Sequence, residues 1–263
     1  AFPTLSKLFS SGDIETFKKN LSSAARHIMF WSIPIAVLLI VLRAQVVRTI
    51  LGAGNFDWEA TRLTAAILAI FAVSIVAQSL ILLFIRGYYS SGRTRGPLIS
   101  VFISAIASVG LAFWGFRNFN DIYFLNTWLP EILKVDDLSG KIILVLPVAY
   151  TIGQIINLAW LWFIFEKRFP LTGMNVLKSG LQVLVASILG GLVSYNALNW
   201  FQFLDRDTLW GIFGQGFFAG IIGLIVIAIT LFLIKNIEIR EFATSLRGRI
   251  ARPVIVAQEQ ENL

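Results

Sequence analysis

Residues Leu63–Ile85 read LTAAILAIFAVSIVAQSLILLFI, an unbroken run without a single charged side chain. A helix rises ~1.5 Å per residue and needs ~20 predominantly apolar residues to cross the ~30 Å hydrocarbon core of a bilayer. This run is long enough, and in lipid its backbone groups are satisfied within a helix. The stretch therefore predicts a transmembrane helix.

Five further runs of the same kind lie on either side of it: Ile28–Leu51, Leu98–Phe116, Ile142–Phe165, Leu181–Leu204 and Leu209–Ile234. None contains Asp or Glu. The first is the least uniform, because Arg43, Gln45 and Arg48 interrupt its last turns, and it predicts a tilted helix ending at the interface. Pro34 and Pro147 fall within runs, where membrane bundles tolerate the kinks they cause. The composition fits an all-α integral membrane bundle of about six spans. Of the 263 residues 57% are hydrophobic and 14% charged, with a mean hydropathy of +0.77. A water-soluble domain carries ~25% charged residues.

The net charge of +7 would suggest nucleic acid in a soluble chain. Here the basic residues lie between apolar runs, so they encode topology instead, and no nucleic-acid partner is implied. Of the 22 Lys and Arg, 15 fall in residues 1–27, 86–97, 166–178 and 235–252. The positive-inside rule places that set in the cytoplasm, and six spans then put both ends there. The chain divides accordingly into a cytoplasmic amphipathic segment (1–27), four spans (28–165), two further spans (166–234) and a cytoplasmic tail (235–263). In the first segment Leu5, Leu8, Phe9, Ile14, Phe17 and Leu21 recur at helical spacing, with Asp13 placed to cap a helix. Residues 117–141 predict a long loop on the outer face, and the tail from Arg247 predicts no regular structure. The opening Ala1-Phe2-Pro3, without methionine, reads as a piece of a longer protein.

Little here could do covalent chemistry. The chain has no cysteine and one histidine, His27, which excludes disulfides, thiol nucleophiles and a multi-histidine metal site. His27 reads as an interfacial side chain. No phosphate-binding or dinucleotide fingerprint occurs, and no cofactor is implied. The enzyme reading finds no support.

Uncharged polar residues do line the spans at helical spacing: Ser74 and Gln78, then Ser100, Ser104 and Ser108, then Thr151, Gln154 and Asn157. Such stripes form interhelical hydrogen bonds or the wall of a polar cavity. Gly216 and Gly220 form a GxxxG pattern, read as close packing or dimerisation. The arginines of RGYYSSGRTRGP (residues 86–97) could fork onto phosphate oxygens or simply enforce topology.

Three motifs carry a family resemblance. Arg86-Gly87-Tyr88-Tyr89 through Thr94-Arg95-Gly96-Pro97 is similar to the R-x-F-Y-A…D-T-R-T-P loop of the MurJ/MviN lipid II flippases, members of the multidrug/oligosaccharidyl-lipid/polysaccharide exporter superfamily. Phe2-Pro3-Thr4-Leu5-Ser6-Lys7 with Gly12-Asp13 resembles that family's F-P-x-L-S-R…G-D segment. Gly52-Ala53-Gly54-Asn55-Phe56 looks like its G-x-G-x-F loop, followed by Thr61 and Thr64. Arg93 and Gly96 depart from the usual Asp and Thr, residues 117–141 are longer, and Asp137-Leu138-Ser139-Gly140-Lys141 replaces a Gly-rich entry to the next span.

The resemblance implies the last six spans of a fourteen-helix, two-lobe transporter of the MOP/MATE type. Such a transporter moves lipid II, a lipid-linked oligosaccharide pyrophosphate, across the bacterial cytoplasmic membrane by alternating access, for peptidoglycan synthesis. Its partners would be lipid II, membrane lipids and an amino-terminal lobe holding the main charged site. The last two spans would form a groove for the lipid tail. Arg86, Arg95, Gln78, Gln154 and Asn157 are the substrate-binding candidates; catalytic and metal residues are not expected. A polysaccharide-unit or multidrug exporter of the same superfamily, or a non-transporting scaffold, are the alternatives.

Overall fold

A computed structural model describes residues 7–52, 57–92, 94–168, 173–200 and 208–250. Phe2 to Ser6, Ala53 to Phe56, Arg93, residues 201–207 (with Leu204 at the expected end of the fifth span) and the tail beyond Ile250 lie outside the described residues. The helices are α1 (Ile14–Val41), α2 (Arg43–Leu51), α3 (Trp58–Ser90), α4 (Arg95–Arg117), α5 (Leu129–Leu133), α6 (Val145–Arg168), α7 (Gly173–Trp200), α8 (Leu209–Leu233) and α9 (Ile237–Ile250). Among the described residues there is no strand. Six helices are long and apolar enough to cross a membrane, and the protein is a multi-pass membrane protein.

The first span starts earlier than its apolar run. Asp13 caps it, its carboxylate accepting from the Thr16 N–H at 3.1 Å, and the helix then continues without interruption through Val41. Phe17 and Leu21 do not lie on a lipid surface but are fully buried in the protein core with Phe84, Leu161, Phe165 and Val176. Leu8, Phe9 and Ile14 pack against the same cluster. The run also ends sooner, at Leu42, where a short second helix takes over. There the Arg43 guanidinium donates to the Ile40 carbonyl at 3.1 Å, a carbonyl that the end of α1 leaves without an intrahelical donor.

The spans pack in a row that does not follow the chain. Its order is α4, α6, α3, α1, α7, α8, with α2 bridging α3 and α8 at one end. Although only a short turn joins α3 to α4, the two share little contact, because α6 lies between them. Small residues set the tight crossings. A Cβ on Gly153 of α6 would meet the Ser108 side chain and, at 3.1 Å, the Ser104 carbonyl of α4. A Cβ on Gly190 of α7 would come within 2.7 Å of the Gly223 carbonyl of α8. Gly216 and Gly220 face Gln45 and Leu42, so this GxxxG serves packing within the chain.

Two expectations about irregular segments change. Residues 117–141 are ordered: a π-helical turn (Phe124–Trp128), α5 and a 3-10 turn (Ser139–Leu144) fold over α3 and α6. Val135, Leu138 and Leu144 bury there with Ala66, Ala69 and Ile70 of α3, while Tyr123, Phe124 and Trp128 face outward. Pro147 sits in the first turn of α6, directly after the 3-10 turn, rather than in mid-helix. At the carboxy end, Arg247 lies inside a helix that runs to Ile250. Asn236 starts that helix by accepting from the Glu238 and Ile239 N–H groups.

Candidate functional site

Along its helix axes the bundle has two ends. One, the hairpin end, holds the start of α1, the α3–α4 turn and α9; the other holds α2, residues 117–141 and the start of α8. Arg86, Gly87, Tyr88 and Tyr89 are the last turns of α3, and Arg95 is the first residue of α4. The motif is therefore helix end, tight turn and helix start. Gly92 takes φ +71° in that turn, a left-handed conformation natural to glycine.

The residues of this hairpin divide by exposure. Tyr88 is buried, its ring edge-on to Phe165 at 5.4 Å between centroids. Gly87 abuts Leu21 and Phe165, and Gly96 abuts the Tyr88 ring. These three hold the hairpin against α1 and α6. Arg86 and Arg95 are exposed, and among the described residues neither is held in an ion pair. Their guanidinium edges remain open to an anion at this end of the bundle.

Gln78 lies eight residues before Arg86, so ~12 Å further along α3. Its amide donates to the Ser74 hydroxyl at 2.7 Å, one turn away, and Ser74 donates to the Phe71 carbonyl. With Phe71, Ile75, Leu146 and Tyr150, these two residues line an open groove of about 510 Å³ between α3 and α6. Tyr150, whose ring meets Phe71 at 5.5 Å, is a wall residue that the polar-stripe pattern does not reveal.

The α6 stripe splits by role. Thr151 is buried and donates to the Ile70 carbonyl at 3.2 Å, so it links α6 to α3. Gln154 is half-buried, whereas Asn157 is buried with its Oδ1 lacking a hydrogen-bond partner. Neither lines the groove that holds Gln78. The structure thus joins Gln78 to Ser74 and Tyr150, places Arg86 and Arg95 at the hairpin end, and keeps Gln154 and Asn157 on a different stretch of α6.

Three ionic contacts fall outside the sequence reading. At the hairpin end Arg26 pairs with Glu238 at 2.8 Å, and His27 lies 3.2 Å from Glu241. At the far end Arg62 donates to Asp137 and to the Lys134 carbonyl. That hydrogen bond holds the Asp137 carboxyl below the usual carboxylate range. The Arg62–Asp137 and Arg26–Glu238 partners lie 75 and 212 residues apart, a separation that local spacing cannot signal.

The sequence profile described as "MurJ: Lipid II flippase MurJ" matches residues 1–214. A "Probable lipid II flippase MurJ" of Bdellovibrio bacteriovorus is 25% identical over 195 residues, covering 74% of this chain and 33% of the relative. That of Rhizobium tropici is 22% identical over 255 residues, 95% of this chain and 44% of the relative. That of Rhizobium meliloti is 30% identical over 110 residues, 42% of this chain and 21% of the relative. The chain thus spans less than half the length of these relatives. A solved structure, "Lipid II flippase MurJ, inward closed conformation", shares the fold with a TM-score of 0.60 at 22% identity, over 88% of this chain and 42% of that one.

Proposed function

The chain belongs to the lipid II flippase MurJ family, and from that premise we propose that it works as the carboxy-terminal part of a lipid II flippase, carrying a lipid-linked peptidoglycan precursor across the bacterial cytoplasmic membrane. The family match over residues 1–214 is the observation that carries this reading. The hairpin end faces the cytoplasm, since 15 of the 22 basic residues lie in the segments grouped there. Translocation breaks no covalent bond, so the protein acts by binding and alternating access and not as an enzyme.

On this reading the exposed guanidinium groups of Arg86 and Arg95 meet the pyrophosphate of lipid II at the cytoplasmic face. Gln78, with Ser74 and Tyr150, supplies uncharged hydrogen-bonding groups along the wall of the passage. The other wall comes from an amino-terminal lobe, around which this part of the protein moves. The test is complementation: the intact protein should sustain growth of cells depleted of their own lipid II flippase. Growth arrest despite normal membrane insertion would refute the assignment.

A further inference from the structure

The end of the bundle opposite the hairpin carries a second polar site, on the far side of α1 from the α3–α6 groove. It is a pocket of about 240 Å³ between α2, the start of α3, the end of α7 and the start of α8. Arg48 lies over the Trp58 ring, 5.3 Å from its centroid, so the guanidinium is held against the aromatic face, and among the described residues it is in no ion pair. Gln45, Tyr195, Asn199 and Gln215 supply the remaining polar wall. Gln215 is buried and fixed by its bond to the Leu198 carbonyl at 2.7 Å. Among the described residues no carboxylate lines the pocket, and Arg48 carries the charge of its lining.

Gln45 is shared with an apolar cleft next door, between α2 and α8, lined by Leu42, Val46, Thr49, Phe213 and Phe217. Exposed Trp58, Trp128, Trp200 and Trp210 lie at this same end of the bundle. Exposed tryptophans of this kind mark the headgroup layer of a bilayer. A single-cation polar pocket at headgroup depth, opening beside an apolar cleft, has the form of a lipid with one phosphate.

We propose that the Arg48–Trp58 pocket and the adjoining α2–α8 cleft bind a glycerophospholipid, its phosphodiester on Arg48 and one acyl chain in the cleft. One guanidinium balances the single negative charge of a phosphodiester and leaves a pyrophosphate undercompensated. The site is distinct from the α3–α6 groove and does not depend on the flippase reading. A phospholipid seated there would hold α2 against α8.

The test is native mass spectrometry of the intact protein with palmitoyl-oleoyl phosphatidylglycerol. Diacylglycerol of the same chains, glycerol 3-phosphate and lipid II serve as comparison ligands. Phosphatidylglycerol should bind best, and Arg48→Gln should weaken it about tenfold or more, as loss of a charge-assisted hydrogen bond does. Arg48→Lys should recover part of the binding, and Thr49→Trp, which fills the cleft, should weaken it. Arg117→Gln, an exposed charge at the same end, should change nothing. Equal losses in Arg48→Gln and Arg117→Gln would mean general surface attraction and overturn the site. Tight glycerol 3-phosphate binding would overturn the lipid assignment, and an Arg48-dependent preference for lipid II would make the pocket part of the transport path instead.

Discussion

The Arg26 guanidinium donates to the Glu238 carboxylate across 2.8 Å, joining α1, just before its apolar stretch, to the helix that follows the last span. Glu238 is 2% exposed, while Arg26 keeps 21% of its side chain in contact with solvent. The Trp31 and Phe242 rings, 5.4 Å apart, extend the same contact between α1 and α9.

That asymmetry sets the consequences of mutation. Arg26→Met strands a buried carboxylate and should cost ~3–5 kcal/mol, the usual penalty for breaking a buried pair. Glu238→Gln leaves its charge on the more exposed partner, where water can hydrate it, and should cost less. Thermal unfolding in detergent, together with hydrogen exchange of residues 237–250, reads both effects. Equal midpoints for the two variants would show that burial of Glu238 does not govern the contact.

Arg62 and Asp137 make the corresponding tie at the opposite end, between α3 and the 117–141 segment. Because the Arg62 hydrogen bond lowers the Asp137 pKa in the fold, its contribution is complete above the unfolded carboxylate value of ~3.9. It is lost as pH falls through the depressed folded value. Limited proteolysis of residues 117–141 should therefore accelerate under strongly acidic conditions. Asp137→Asn should reproduce that acceleration at neutral pH, and added salt should do so partially, since the contact is solvent-exposed. Cleavage that ignores both the substitution and salt would leave this pair without a role in holding the segment.

The hairpin motif predicts two different kinds of failure. Arg86→Ala and Arg95→Ala remove exposed charges, so expression and insertion should stay normal while complementation falls. Loss of one charge-assisted contact to a pyrophosphate is worth ~1.5–3 kcal/mol, or about ten- to a hundredfold. Tyr88→Ala instead empties a buried aromatic site and should lower stability by ~3–5 kcal/mol, visible as reduced protein in the membrane. If the arginine variants support normal growth, their role is topological.

What the sequence revealed tracks the range of the interaction involved. The uncharged run Leu63–Ile85 is enough to place α3, and the four-residue spacing of Ser74 and Gln78 matches the hydrogen bond they make. Asp13 is legible as a cap because capping is local. The start of α1 is not: Phe17 and Leu21 look like one face of an interfacial helix until α3 and α6 bring Phe84 and Phe165 onto them. Likewise Thr151 belongs to a recognisable polar stripe, but its partner is a carbonyl of α3. Which helices adjoin depends on complementary surfaces such as Gly153 against Ser104 and Ser108, and chain order suggests the wrong neighbour for α4. Arg86 and Arg95 were singled out from composition and motif, and their exposure agrees with either an anion-binding or a topological role.

A polypeptide of residues 1–263 on its own should insert into a membrane but fail to move lipid II. Alternating access needs two bodies that rock around a common site. The row from α4 to α8 supplies one wall, with its groove open on one side and lined by uncharged Ser74, Gln78 and Tyr150. Away from their end turns the six spans carry no Asp or Glu to hold a coupling cation. Arg86 and Arg95 stand at helix ends, so a diphosphate drawn into the hydrocarbon would leave its cationic partners behind, at the cost of an uncompensated charge in lipid. The measurement is lipid II translocation in proteoliposomes holding residues 1–263, against protein-free liposomes and liposomes holding the intact protein. Translocation by the short polypeptide at the intact protein's rate would show that one wall suffices, and that the two-body mechanism does not apply to this protein.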